Sequence, residues 1–368
     1  MKIAQVCPYD FSRPGGVKSH ILSLSKYLTK VGHEVKIIAP NINSEFVDES
    51  NVYFFGKNRS LNIGGTKIDL NVALGEEKKA LKNFLRSEQF DIIHYHTIWN
   101  PLLPFQIRRY ARSKHIATFH DTPKNLFIGR WIMPLMARWV FAFLDGIISV
   151  SNTQSGFIRR FSKRKIQIIP NGIDLEEIQN QPKVRKDPST FQLLFLGRLE
   201  PRKGVMHALQ AFRQLKMTYQ NMKLIIAGDG DDRKMVEDFI EEYDLRDVEL
   251  KGFVDEATKY ALLQESDIYL APALYGESFG IVLLEAMSIG TPMAGYANEG
   301  YKNVLTKDMM KHFSRPEDLD GLVKNIEGLL LSEKREELAI KGLKEVKKYD
   351  WKMLAAQIEQ HYNAGNFG

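Results

Sequence analysis

The sequence holds one cysteine, Cys7, in 368 residues. No intrachain disulfide can form and no cysteine-built zinc cluster is possible, which suits a reducing compartment. A membrane-spanning run is also missing. The most apolar stretch, Trp131 to Val150, is broken by Pro134, Arg138, Asp145 and Gly146. It falls short of the roughly 18 uninterrupted apolar residues that a spanning helix needs. The chain opens directly on a strand-like run, Lys2 to Cys7, so no cleavable leader is expected. Neither the G-x-G-x-x-G dinucleotide fingerprint nor a P-loop sequence occurs, which turns the reading away from nicotinamide and P-loop chemistry. The expected place is the cytoplasm, with a peripheral position on the inner membrane face left open.

What is present is ordinary globular composition, 44% apolar and 26% charged, in a length that suits two domains. The net charge of +6 favours anionic partners such as phosphates, nucleotides or acidic lipids. Short apolar runs alternate with helical periodicity. Lys2 to Val6 precedes a Gly-rich break. Val17, Ile21, Leu24 and Leu28 then form one helical face, and Glu34 to Ala39 reads as the next strand. This is a βαβ unit with parallel strands. Asp91–Tyr95, Ile116–Phe119, Gly146–Val150 and Ile166–Ile169 continue the series, and Asn51 to Leu70 reads as a hairpin. Pro182 to Ser189 is polar, with two prolines and three basic residues, and reads as a linker. A second series follows at Gln192–Leu196, Lys223–Ala227, Val248–Lys251, Asp267–Ala271 and Pro292–Gly295. The expected fold class is α/β, with two doubly wound Rossmann-like domains, 1–180 and 190–350, facing a cleft. The last helix, within 351–368, is expected to cross back to the first domain. In such folds ligands bind beyond the carboxyl ends of the strands.

Three segments suggest chemistry. Gly15-Gly16 follows the first strand and opens a helix; free amides there suit an anion, or the pair serves only a tight turn. Gly197 to Gly204 repeats that position in the second series and carries Arg198, Arg202 and Lys203. Fixed cations at such a place suit a diphosphate, against the plainer reading of a solvated basic turn. The stretch Glu277-Ser278-Phe279-Gly280-Ile281 precedes Glu285 on an apolar helix. A helix starting at Ser278 would put Glu285 about 9 Å along its axis. Two carboxylates could then hold hydroxyl groups on either side of a diphosphate, or could pair with neighbours on a solvated face. Ile281, Val282, Leu284 and Met287 surround Glu285, and a buried carboxylate needs a partner.

Together, the E-x7-E pair (Glu277, Glu285), the run from Arg198 to Gly204 and the Gly15-Gly16 loop resemble family 4 of the retaining glycosyltransferases, of GT-B fold. VCPYDFSRPGGVKSH, FDIIHYH, ATFH, GESFGIVLLEAM and YDWKMLAAQIEQHY are similar to the phosphatidylinositol mannosyltransferases. The resemblance spans nearly the whole chain. It implies a metal-independent hexosyl transfer, of mannose from GDP-mannose, to a lipid-linked or saccharide hydroxyl. Gly15 and Gly16 would approach the donor diphosphate, and Arg198 and Lys203 would clamp it. Glu277, with Ser278, Phe279, Gly280 and Ile281, would bind the sugar. Glu285 would hold the ribose and Val254 would meet the base. His120 would line the reaction centre, and Tyr9, Asn100 and Lys124 are the candidate acceptor contacts. The partners expected are a nucleotide-sugar, an acceptor alcohol and an anionic membrane surface. No nucleic acid, metal or cofactor is expected.

Other features stand beside this. Lipid-specific relatives carry an arginine pair where Asn62 to Asn71 has Lys67 and Asp69, which argues against phosphatidylinositol as acceptor. His94 and His96 share a strand face with no third metal ligand evident nearby, and His120 alone could be structural. Asp229-Gly230-Asp231 matches a metal-binding D-x-D but sits where a βα turn belongs. Leu126 to Leu144, with Trp131 and Trp139, could lie on a membrane or cover the sheet; Arg159 to Lys165 adds basic charge. The rival functions are a nucleotide-sugar epimerase or hydrolase on the same fold, and a non-catalytic sugar-nucleotide or lipid binder.

Overall fold

The structure is a computed structural model and describes residues 1–8, 11, 15–41, 51–63, 66–98, 102–120, 137–184, 186–277, 279–333 and 335–364, with backbone alone at 41, 57–63, 66–70 and 153. The chain divides into two compact units, Met1–Gly172 with Trp351–Gly368, and Ile173–Asp350.

The first unit is built on an eight-stranded sheet in the order β4-β3-β2-β1-β5-β6-β7-β8. The strands are β1 (Lys2–Val6), β2 (Glu34–Asn41), β3 (Val52–Ile63), β4 (Thr66–Val72), β5 (Ile92–His96), β6 (Lys114–Phe119), β7 (Gly146–Ser149) and β8 (Ile166–Ile168). All neighbours run parallel except β3 and β4, which pair antiparallel from Lys57–Val72 to Ile63–Thr66 and form the hairpin read from the sequence. Strand alternation divides the side chains between two faces. Ala4, Val6, Ile93, Tyr95, Ala117 and Phe119 fill one core. Ile3, Ile92, Ile116 and Ile148 face the other way, onto Leu24 and Leu28 of helix Gly16–Lys30 and Trp351, Leu354 and Ile358 of helix Trp351–Asn363. Full burial of each such aliphatic side chain contributes roughly 1.5–3 kcal/mol. The last helix is therefore part of this unit's core.

The second unit carries a six-stranded sheet in the order β11-β10-β9-β12-β13-β14, all parallel. Its strands are β9 (Phe191–Leu196), β10 (Met222–Ala227), β11 (Val248–Gly252), β12 (Ile268–Ala271), β13 (Met293–Tyr296) and β14 (Phe313–Ser314). The order reverses between β9 and β12. At such a switch point the loops leaving two adjacent strands separate to opposite faces and leave a crevice. The segment expected as a linker belongs to this unit. Val184 N donates to Gln264 Oε1 (3.0 Å) and Lys186 Nζ to the Ser266 carbonyl (2.6 Å). The chain passes between the units at Gly172–Ile173 instead. Prolines and charge mark an irregular segment; they do not say which unit it packs on. Among the described residues, no helix is long and apolar enough to cross a membrane.

Candidate functional site

In the second unit the loop after β9 and the loop after β12 meet at the switch point. Gly204 makes this possible: its φ is +72°, and a Cβ there would stand 2.1 Å from the Pro272 carbonyl oxygen. Leu274 N donates to the Arg202 carbonyl (2.8 Å) and ties the two loops together. Lys203 Nζ then lies 2.5 Å from Glu277 Oε1, and Arg202 Nη1 3.5 Å from the same oxygen. Arg202 Nη2 holds Glu200 Oε1 at 2.5 Å. The Lys203 and Glu277 side chains are 20% and 14% exposed, so the pair is only partly screened by water. Arg198 stands apart. Its side chain is 74% exposed, with one loose contact of 3.7 Å to Glu200. The cation that joins Lys203 at Glu277 is Arg202, not Arg198.

Helix Ile281–Ile289 begins later than the expected Ser278, which lies outside the described residues. Gly280, at φ +96°, precedes it, and a Cβ there would meet the Tyr301 ring at 2.6 Å. Glu285 is thus about 6 Å, not 9 Å, along the helix axis. Phe279 is buried beside it. The partner that a buried Glu285 demands is Lys259, on helix Glu256–Glu265, at 2.6 Å; Glu256 shares the ammonium at 2.7 Å. Burial pushes the Glu285 carboxyl above its usual range, and Lys259 draws it part of the way back. Burial opposes charge on Lys259 as well, but the charges of Glu285 and Glu256 outweigh it and raise its pKa. Val254, between β11 and that helix, packs on the same core as Ile281. Asp229 to Asp232 form the βα turn after β10: Asp229 accepts from Leu199 N and Gly230 N, and its carboxylate pairs with Arg233.

In the first unit Gly15 caps helix Gly16–Lys30 at φ 171°, an extended backbone, and a Cβ there would meet nothing within 4 Å. Among the described residues neither strain nor packing requires glycine at this turn. His120 follows β6 and is 5% exposed. Parallel register sets Gln5 beside His94 and His96 beside Thr118 on one sheet face. His96 Nδ1 lies 3.1 Å from His120 Nε2, and His96 Nε2 lies 2.6 Å from Gln5 Oε1. His94 Nδ1 meets the Tyr362 hydroxyl at 2.6 Å, and His94 Nε2 meets Thr118 Oγ1 at 2.7 Å. His20 Nδ1 pairs with Asn171 Oδ1 at 3.0 Å. Burial pushes His20, His94 and His96 well below the usual imidazole range, with neighbouring rings adding to the effect. Burial takes His120 to about 4, with the nearby Asn171 amide opposing the shift. All four rings are neutral at pH 7.

Ring nitrogens of His20, His96 and His120 all lie within 4.8 Å of one another, a donor set that suits a divalent cation such as zinc. This set takes His96 but not His94, so the strand pair read from the sequence is not itself part of it. Tyr9, Asn100 and Lys124 lie outside the described residues. So does most of the expected helix 126–144. In its described part Ala137, Val140 and Phe141 are buried and Trp139 is 64% exposed.

Comparison with known proteins bears on both units. Residues 14–177 match the family described as Glycosyltransferase Family 4, and residues 176–346 match Glycosyl transferases group 1. The chain is 31% identical to a phosphatidyl-myo-inositol mannosyltransferase of Mycolicibacterium smegmatis, over 98% of this chain and 93% of that protein. Its fold is similar to that of sucrose-phosphate synthase from Thermosynechococcus elongatus (TM-score 0.75, 19% identity, 98% of each chain). It is also similar to Anabaena HepE in complex with UDP (TM-score 0.76, 17% identity, 99% of this chain and 100% of that one).

Proposed function

The chain belongs to the group 1 glycosyl transferases, and from that premise we propose that it moves mannose from GDP-mannose to a hydroxyl of a lipid-linked or saccharide acceptor, with retention and without a metal. The observation that carries this reading is the meeting of Lys203 and Arg202 on Glu277 beside the turn into helix Ile281–Ile289. Two cations fixed by a carboxylate are oriented before any ligand arrives. Charge that grows on a departing diphosphate is stabilised by such groups without reorganisation. Glu277 then accepts from the sugar's hydroxyls, and the free amides at the helix start add to the anion site. Glu285 and Lys259 hold the ribose end, with Val254 toward the base.

The first unit contributes Gly15 and Gly16 to the diphosphate and His120 to the transferred sugar. A neutral imidazole there accepts or donates one hydrogen bond and adds no charge to the reaction. Retention follows from attack on the face that the diphosphate leaves. The departing phosphate takes the acceptor's proton, and the protein supplies orientation and charge stabilisation. The acceptor is a lipid-linked or saccharide alcohol. The mannosyltransferase named among the relatives supports a lipid acceptor, whereas Lys67 and Asp69 in place of an arginine pair weigh against phosphatidylinositol. A peripheral position on an anionic membrane surface is the corresponding location.

Calorimetry against GDP, UDP, ADP and their sugars, with Lys203→Ala as control, tests the donor. Tight GDP-mannose binding that the substitution weakens is the expected result. Preference for UDP-sugars would replace the donor, and binding indifferent to Lys203 would remove the site. Anomeric NMR of the product tests retention, and full activity after exhaustive chelation tests metal independence.

A further inference from the structure

The hydrogen bonds behind His120 form one unbroken file, and its members come from distant parts of the chain. We propose that His96, Gln5 and Tyr362 are positioning residues that hold His120 in the Nε2–H tautomer, leaving Nδ1 as the ring's acceptor atom. The proposal rests on the reading of His120 as a sugar contact and specifies which of its nitrogens can accept.

The direction of each bond follows from the chemistry of its atoms. An amide oxygen only accepts, so at 2.6 Å from Gln5 Oε1 the nitrogen His96 Nε2 carries the hydrogen. A neutral His96 then offers a lone pair at Nδ1, and His120 Nε2, 3.1 Å away, must donate to it. The other end of the file accommodates this direction. Gln5 Nε2 only donates, and it meets the Tyr362 hydroxyl at 3.4 Å. Tyr362 passes its own hydrogen to His94 Nδ1 at 2.6 Å, and His94 Nε2 donates to Thr118 Oγ1 at 2.7 Å. Each contact in the file from His120 to Thr118 thus pairs one donor with one acceptor. The groups are neutral and buried, so each hydrogen bond is strengthened by low local dielectric and by its neighbours. Turning the Gln5 amide over would reverse every donor and acceptor, so Gln5 sets the polarity of the whole file. The Tyr362 hydroxyl, on the last helix, accepts from that amide at 3.4 Å. His20 stands outside the file. Its Nδ1 is engaged by Asn171, and its buried Nε2 has no hydrogen-bond partner.

The test is nitrogen NMR of the full-length protein with labelled histidine and no substrate, which reads tautomers independently of activity. Wild type is expected to show His94, His96 and His120 all in the Nε2–H form. Gln5→Leu should give His120 a mixture of both forms, and Tyr362→Phe, which keeps the ring's packing, a smaller shift in the same direction. In transfer assays kcat should fall about 10-fold or more in Gln5→Leu, as when a catalytic imidazole loses its tautomer, with the donor KM unchanged. His120 found as Nδ1–H in wild type, or unaltered in both variants, would overturn the proposal. So would one equivalent of zinc held by wild type and lost in His20→Ala, because a metal on His96 Nδ1 and His120 Nε2 would replace the shared hydrogen. A His120→Ala variant as active as wild type would remove the premise, even with the tautomers as assigned.

Discussion

The surroundings of His120 in the first unit and the switch point of the second hold their polar groups in opposite ways. Behind His120, Gln5, His94, His96, Thr118, Asn171 and Tyr362 are uncharged, and geometry alone decides which atom gives and which accepts. At the switch point of the second unit, Lys203, Arg202 and Lys259 are each held by carboxylates. A neutral network fixes direction and resists change of charge. An ionic one keeps its cations in place yet lets another anion compete for them. The first arrangement suits a group that must present one atom in one orientation, the second a site where a diphosphate comes and goes.

The largest expected effect breaks the ionic side. Lys203→Ala should lower kcat/KM for the donor by about 10²–10³-fold, the usual loss when one stabilising donor is removed, read by steady-state kinetics with calorimetry of the nucleotide. Next, Lys259→Met strands Glu285 in its buried place and should cost about 3 kcal/mol of unfolding free energy in urea titration. Adding Glu285→Leu should restore most of that loss, because no uncompensated charge then remains.

A third experiment sharpens the contrast through pH. In the folded chain His120, His115 and His361 titrate near 4, and His20, His94 and His96 lie well below the imidazole range, in each case chiefly through burial. In the unfolded chain they take up protons near 6.5. The unfolded state therefore binds more protons between these values, and stability is fully present above about 6.5 and lost as pH falls toward 4. Chemical denaturation should show a loss of at least about 2 kcal/mol from pH 7.5 to 5, smaller in His94→Gln. The least effect is expected at Arg198, where replacement by alanine should alter stability by under about 0.5 kcal/mol. Arg202→Ala should weaken nucleotide binding more than Arg198→Ala does.

The alternation of strand and helix was legible along the chain because buried parallel strands are short apolar runs. The loop carrying Lys203 could be read in the same way, whereas the mixed polar and apolar run from Asn51 to Leu70 only suggested its hairpin. What escaped the reading came from residues far apart in sequence. Nothing local distinguishes Arg198 from Arg202; the turn at Pro201–Lys203 and the glycine after it decide which one reaches Glu277. The need of Glu285 for a partner could be inferred, but Lys259 is 26 residues away, on another helix. His94 and His96 showed a shared face, whereas His20, Asn171 and Tyr362 join them only once a helix, a loop and the last helix have packed on that face.

Trp351 lies against Gly172 so closely that a Cβ on that glycine would stand 2.9 Å from the indole. At the other end of the same crossing, Ile173 N bonds the Tyr349 carbonyl at 2.9 Å. The second unit is therefore an insertion, closed at its neck, in a first unit whose two pieces abut. During translation the face carrying Ile3, Ile92 and Ile116 has only helix Gly16–Lys30 to pack on until the residues after Asp350 are delivered. Excising 173–350 and splicing Gly172 to Trp351 would close that interval, and would give a shorter protein in which the histidine file can be examined alone.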